Sequence, residues 1–256
     1  MKFEELEARF RALEARNEEK LKFVGWTIAR LDGRGFTRLT KRSLELEKPF
    51  DIRFHEVMKS TVAHLCDCGF AVRLAYSQSD EISLLFERSE RGFDGKARKW
   101  LSVLAGEASA SFSLHMGRIG AFDCRLIELP DSETTADYFR WRQSDAYRNA
   151  LSAHCYWILR AQNLSPNAAT TRLNGLSIAQ KRILLNEQGI DIESLPLWQR
   201  RGFTTNWQKF EKVGFNPKTQ SEARTVRKRL HFDTQLPDGD AFGVYLQTIA
   251  LNNQIT

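Results

Sequence analysis

Apolar and polar positions alternate with period two on both sides of residues 78–81. Val72, Leu74 and Tyr76 lead in, and Ile82, Leu84 and Phe86 lead out. Such alternation marks half-buried strands, so residues 70–87 read as a hairpin with Gln78-Ser79-Asp80-Glu81 at its turn. The segment FVGWTIARL, residues 23–31, has the β-branched and aromatic content of another strand, ended by Asp32, with DGRGF as the loop beyond it. DIRFHEVMKSTVAHLCDC reads as a helix closed by Gly69, and GKARKWLSVLAGEASASFSLHM as a second helix. Gly117 and Gly120 then punctuate the chain before a strand at AFDCRLIEL, stopped by Pro130. The predicted order is β-α-β-β-α-β. That order is the split βαβ arrangement of a ferredoxin-like sheet with two helices on one face, a fold of the α+β class.

Outside that block the periodicity changes. Phe3, Leu6, Phe10 and Leu13 form a narrow three-four seam in a stretch carrying six acidic and six basic residues between Lys2 and Lys22. A charged helix over residues 1–22 follows, suited to docking on its own domain or on a partner subunit. From 132 onward the spacing is helical, through DYFRWRQSDAYRNALSAHCYWILRAQN and two shorter segments. The expected organisation is therefore the N-terminal helix, a sheet domain over 23–131, and a mainly helical, basic subdomain over 132–256 packed on the sheet.

Composition narrows the class. Hydrophobic content of 42% and charged content of 27% are those of a globular chain. No apolar run approaches a membrane span, and the charged N-terminus is unlike a signal peptide, so the reading is a cytoplasmic protein without membrane contact. The four cysteines, with Cys66 and Cys68 two apart, suggest neither a disulfide framework nor a zinc site. Charge is concentrated: residues 200–230 hold nine Lys and Arg against Glu211 and Glu222, so this segment carries the excess of a chain whose net charge is +6. Such a patch suits a polyanion, and equally a solvated basic surface. The interleaved aromatics Trp198, Phe203, Trp207, Phe210 and Phe215 suit stacked bases or buried anchors alike.

The topology gives the hairpin tip a chemical meaning. In a β-α-β-β-α-β sheet the first strand and the second hairpin strand are antiparallel neighbours, which brings Asp32 beside Asp80. Two converging carboxylates repel unless a cation lies between them, and magnesium takes one or two carboxylates plus substrate phosphates. Gly33 and Gly35 free the backbone of Arg34, Gly35, Phe36 and Thr37 to turn N–H groups toward a phosphate. Together these features point to a two-metal nucleotidyl-transfer site.

LDGRGF followed by YSQSDEISLLF resembles the tRNA(His) guanylyltransferase superfamily. The resemblance continues through Lys48-Pro49, FDCRLIELP, DYFRWRQSDAYRN and Gly175 to Leu185, covering roughly residues 22–210 in order. It implies a polymerase-type palm that adds nucleotides to the 5′ end of tRNA in the 3′-to-5′ direction. It further implies that Asp32, the Gly33 carbonyl and Asp80 hold two magnesium ions, and that residues 33–37 with Ser79 cradle a nucleoside triphosphate. Lys48 and Lys181 match lysines near phosphates, and Glu81 matches an acidic residue after the second metal ligand. ATP would activate a 5′-monophosphate and GTP would then add to it; the family also implies a homo-oligomer, commonly a tetramer.

Two departures concern specificity. Thr37 stands where eukaryotic members carry histidine, and only Asn149 and Leu151 of their His-Ile-Asn-Asn-Leu-Tyr-Asn run survive here. Templated repair of tRNA 5′ ends is therefore at least as well supported as non-templated guanylate addition. Trp141 and Arg142 are read as either substrate contacts or ordinary helix positions. The rival readings are a non-catalytic RNA-binding module with a degenerate palm, and a nucleotide cyclase-like enzyme.

Overall fold

The computed structural model describes residues 5, 7, 10, 11, 13, 19–40, 45–216 and 220–252. Phe3 and Leu6 of the N-terminal seam, and Lys218 of the basic segment, lie outside them; Phe10 and Leu13 are 54% and 41% exposed.

The chain runs through β1 (Trp26–Arg34), α1 (Ile52–Leu65), β2 (Val72–Gln78), β3 (Glu81–Phe86), α2 (Ala97–Met116) and β4 (Ala121–Leu129). Beyond these come α3 (Ser132–Ala161), α4 (Pro166–Leu173), α5 (Ile178–Asn186), α6 (Leu197–Arg201), β5 (Phe203–Asn216), β6 (Ser221–Asp233) and α7 (Gly239–Leu246). Helix starts follow their caps: the Asp51 carboxylate accepts from the Arg53 amide at 2.7 Å, and Asp131 accepts from the Thr134 amide at 2.7 Å. Ser177 and Gln180 close a reciprocal capping box on α5. No helix among the described residues is long and apolar enough to cross a membrane.

All strand pairings are antiparallel, and the sheet order is β4-β1-β3-β2-β5-β6. Alternation divides the side chains between two cores. Ala29, Leu31, Ile82, Leu84 and Phe86 face α1 and α2, where Met58, Val62, Trp100, Leu104 and Phe112 are buried. Trp26, Ile28, Leu74, Tyr76 and Leu85 face the other way, against Ala136 and Phe139 of α3 and Phe242 and Leu246 of α7. A third cluster joins the far half of α3 to α4 and α5 through Leu151, Cys155, Leu173 and Leu185. The sheet is thus a middle layer, and the functional end of β1 and β3 opens on the α3 side.

Two expectations are corrected. β1 does not stop at Asp32: Gly33 and Arg34 pair with Phe122 and Ala121 of β4, so the strand extends wherever β4 supplies hydrogen-bond partners. The segment after 132 is not mainly helical throughout either. β5 and β6 form a long hairpin, joined to the sheet where Ala75, Tyr76 and Ser77 of β2 meet Thr205, Thr204 and Phe203. Lysines and arginines alternating with Trp, Phe and Val suit a solvated strand as well as a surface helix, and only the free edge of β2 decides between them.

Candidate active site

β1 and β3 run antiparallel with Asp32 opposite Glu81, and Gln78 closes the β2–β3 hairpin opposite Glu81. The turn is therefore two residues, Ser79 and Asp80. A two-residue hairpin turn demands positive φ, and Ser79 adopts +53°. Across the pairing, the Gly33 amide donates to the Asp80 carbonyl at 3.1 Å. A Cβ at Gly33 would lie 2.8 Å from an Asp80 carboxylate oxygen and 2.5 Å from the Phe36 ring. Only a glycine leaves room for the carboxylate to come down on the β1 backbone.

The loop is anchored from below. Phe36 is 2% exposed and packs on Phe112 and Phe122, with ring centroids 4.8 and 5.0 Å away. Gly35, at φ +73°, starts a single helical turn over Phe36–Arg38, whose Arg38 and Leu39 amides return to the Gly35 carbonyl. Thr37 is exposed beside it.

Asp32 and Asp80 line a cavity of about 690 Å³, whose lining also includes Phe50, Trp157 and Trp198. His55 stacks on Trp198 at 4.4 Å, and burial pulls its imidazole down to about 4, so it is neutral at physiological pH. Lys48 lies 5.6 Å from the Trp157 ring and donates to the Thr40 carbonyl. One long face of α3 completes the wall: Arg142, Asp145, Asn149, Ala153 and Trp157 recur at intervals of three and four and all border the cavity.

The carboxylates bordering the cavity are not all paired. Asp51 is held by Arg53, and Glu81 and Asp145 by Arg142. Among the described residues no lysine or arginine pairs with Asp32 or Asp80. Burial first, and then the charge of Asp32, push the Asp80 carboxyl up to about 6. No group of three or more His, Cys, Asp and Glu side chains assembles among the described residues. Asp32 and Asp80, with the Gly33 carbonyl, would supply the sparse, hard-oxygen donor set that suits magnesium, which takes one or two carboxylates plus phosphate oxygens and water. Nearby, the Arg30 Nε is buried without a hydrogen-bond partner while its side chain borders the cavity, as a donor awaiting an oxyanion would be.

The residues singled out from sequence are thus gathered unevenly. Asp32, Phe36, Thr37, Lys48, Ser79, Asp80 and Glu81 border one cavity, with Gly33, Arg34 and Gly35 in the adjoining strand end and turn. Glu81 is not available as an open carboxylate, because Arg142 takes both of its oxygens at 2.6 Å. Lys181 is not in this cavity: it donates to the Ser152 hydroxyl at 3.0 Å and borders a second one of about 330 Å³ with Arg148 and Ser177. Sequence reasoning left Arg142 undecided and passed over Asp145 and Arg30. The polar three-four stripe along α3 was the readable signal for the first two.

A family model described as Thg1, tRNAHis guanylyltransferase, matches residues 7–130, and one described as the Thg1 C terminal domain matches residues 133–236. The chain is similar to the probable tRNA(His) guanylyltransferase of Bos taurus, 32% identical over 199 residues, covering 73% of this chain and 66% of that relative. The Homo sapiens counterpart is 32% identical over 200 residues, with the same two shares, so the match spans 66% of these relatives' own length. Among solved structures, a bacterial tRNA(His) guanylyltransferase-like protein in complex with GTP aligns with a TM-score of 0.71 at 27% identity, over 96% of this chain and 98% of that one. One in complex with ATP aligns with a TM-score of 0.76 at 26% identity, over 96% and 100%. With both halves matched in order and the whole mixed helix and antiparallel sheet superposing on these relatives, the chain belongs to the tRNA(His) guanylyltransferase family.

Proposed function

We propose that this protein is a magnesium-dependent nucleotidyltransferase that adds guanylate, or templated nucleotides, to the 5′ end of tRNA in the 3′-to-5′ direction. Its sheet serves as a ferredoxin-like, polymerase-type palm, with β4-β1-β3-β2 as the catalytic platform. The observation that carries the reading is the meeting of Asp32 and Asp80 across β1–β3, with the Asp80 carboxylate seated over Gly33 and no lysine or arginine among the described residues paired with either. The GTP and ATP bound by the bacterial relatives support nucleotide substrates for the cavity.

Asp32, Asp80 and the Gly33 carbonyl would hold the magnesium ions. Magnesium supplies charge neutralisation on the phosphates and eases loss of the proton from an attacking hydroxyl. The remaining work belongs to the chain. The turn after Gly35 presents backbone amides, and Arg30 a guanidinium donor, to phosphoryl oxygens. The Phe50, Trp157 and Trp198 wall offers a face on which a base stacks. A 5′-monophosphate attacks the α-phosphorus of ATP and pyrophosphate leaves. The 3′-hydroxyl of the incoming GTP then attacks the activated 5′ phosphorus and AMP leaves. A triphosphorylated end needs no activation, because pyrophosphate is already the leaving group.

The test is transfer of radiolabelled GTP to a full-length histidine tRNA and to a tRNA shortened at its 5′ end, with magnesium, for wild type and Asp80→Ala. Incorporation that falls at least about 10²-fold in the variant is expected. The preferred tRNA then separates identity-setting addition from repair. Unaltered tRNA binding with no incorporation on either substrate would leave the RNA-binding module in its place.

A further inference from the structure

Glu81 follows Asp80 in the chain and faces Asp32 across the β1–β3 pairing, so its backbone is part of the platform on which both carboxylates stand. Its side chain is 18% exposed, and its two oxygens accept from Arg142 Nε and Nη2, each at 2.6 Å. Arg142 is 8% exposed and reaches Asp145 as well, at 3.1 Å. A bidentate guanidinium–carboxylate pair fixes direction as well as distance, because the guanidinium fork is planar. The guanidinium also lies 4.5 Å from the Trp141 ring, whose residue is 55% exposed at the cavity.

The anchor behind this pair is rigid. Arg142 sits one turn beyond Phe139 and two beyond Thr135, both fully buried, and Gln143 bonds the Pro237 carbonyl at 2.9 Å. α3 is therefore a fixed frame, and the Arg142 fork transmits its position to the strand end that carries Asp80. Two features argue against Glu81 as a third metal ligand. Both of its oxygens are taken, and turning one toward Asp32 and Asp80 would add a third like charge while breaking the bidentate bond to a buried guanidinium, leaving it only the longer contact to Asp145, which is costly.

We infer that Arg142 is a positioning residue which, by clamping Glu81, sets the Asp80 turn against Asp32, and that Glu81 is a strut and not a metal ligand. The inference rests on the nucleotidyltransferase reading for its kinetic readout, but its metal readout is independent of that reading.

The experiment compares wild type with Glu81→Gln, Arg142→Gln, Arg142→Lys and the double Glu81→Gln, Arg142→Gln variant, each checked for folding by circular dichroism. Two quantities are measured: kcat and KM for GTP addition, and the number and affinity of Mn²⁺ ions bound with GTP, by electron paramagnetic resonance. Each single loss is expected to lower kcat about 10²-fold, the scale of an ångström's misplacement, with KM for tRNA unchanged. The double variant should be no worse than either single one, and Arg142→Lys should not rescue. Mn²⁺ stoichiometry should stay at the wild-type value in Glu81→Gln, with weaker affinity. Loss of one bound ion in Glu81→Gln, full rescue by lysine, or independent multiplying losses in the double variant would overturn the inference. A wild type that transfers no GTP sinks the functional reading alone, and the same cycle is then decided on Mn²⁺ binding. If Arg142→Gln does not fold, Glu81→Gln and Arg142→Lys carry the decision, by ion count and by rescue.

Discussion

Asp80 concentrates the chemistry of the site in one carboxyl group. Burial and the neighbouring Asp32 charge hold it at about 6, above the ordinary 3.8. The folded chain therefore binds this proton more tightly than the unfolded chain. The resulting stability is complete below the ordinary value and is lost as pH rises through about 6. In metal-free protein Asp80→Asn removes the repulsion, so the variant should be more stable than wild type at about pH 7.5, the difference shrinking on acidification. Protons and magnesium compete for the same oxygens, so the magnesium-induced thermal shift of wild type should shrink as pH falls through about 6. Thermal unfolding in EDTA and in magnesium across that range reads both effects. A variant less stable than wild type in EDTA at about pH 7.5 would contradict the repulsion argument. At this scale the sequence was readable for the pair of aspartates, because strand pairing follows from period-two alternation. It was not readable for Glu81, whose role depends on an arginine 61 positions away.

The β5–β6 hairpin is the element that periodicity did not separate from helix. Its register sorts its residues by face. Lys212 lies opposite Thr225, Phe210 opposite Arg227, and Gln208 opposite Arg229, which makes this stretch of one face basic, with its one carboxylate, Asp233, at the sheet end of the hairpin, where the Tyr245 hydroxyl donates to it. The other face pairs Glu211 with Val226, Val213 with Arg224, and Phe215 with Glu222, mixing both signs with exposed apolar groups. A polyanion should choose the first face. Reversing Lys212, Arg227 and Arg229 to glutamate is expected to weaken tRNA binding and to flatten the dependence of log affinity on log salt by about 3. GTP binding, measured without tRNA, should not change, since none of the three borders the cavity. An unchanged salt slope would assign the hairpin's charge to plain solvation. The concentration of basic residues in 200–230 was visible in the sequence; which of them share a face was set by a register that begins with three β2–β5 pairs.

For the molecule as a whole, the sheet, α3 and the 45–51 segment close on one cavity, and a ligand spanning it binds only the folded state. GTP with magnesium at about 100 times its dissociation constant should stabilise the protein by about 2.7 kcal/mol, raising the unfolding midpoint by roughly 5–10 °C. EDTA should abolish the shift, and a shift of equal size without magnesium would refute metal-assisted binding. Sequence alone determined the β-α-β-β-α-β order, the glycines of the turn that ends β1, the two aspartates and the surplus of positive charge. Each of these is written in local spacing or in composition, and strand order then brings distant residues together by the geometry of pairing. The tertiary structure alone decided that β1 runs on past Asp32, that β5 and β6 join the sheet, that Arg142 claims Glu81, and that Lys181 faces a different cavity. Those outcomes depend on which edge is free and on how a long helix docks across the sheet. Side-chain partners are selected there by the packing of whole elements, and no local pattern carries that information.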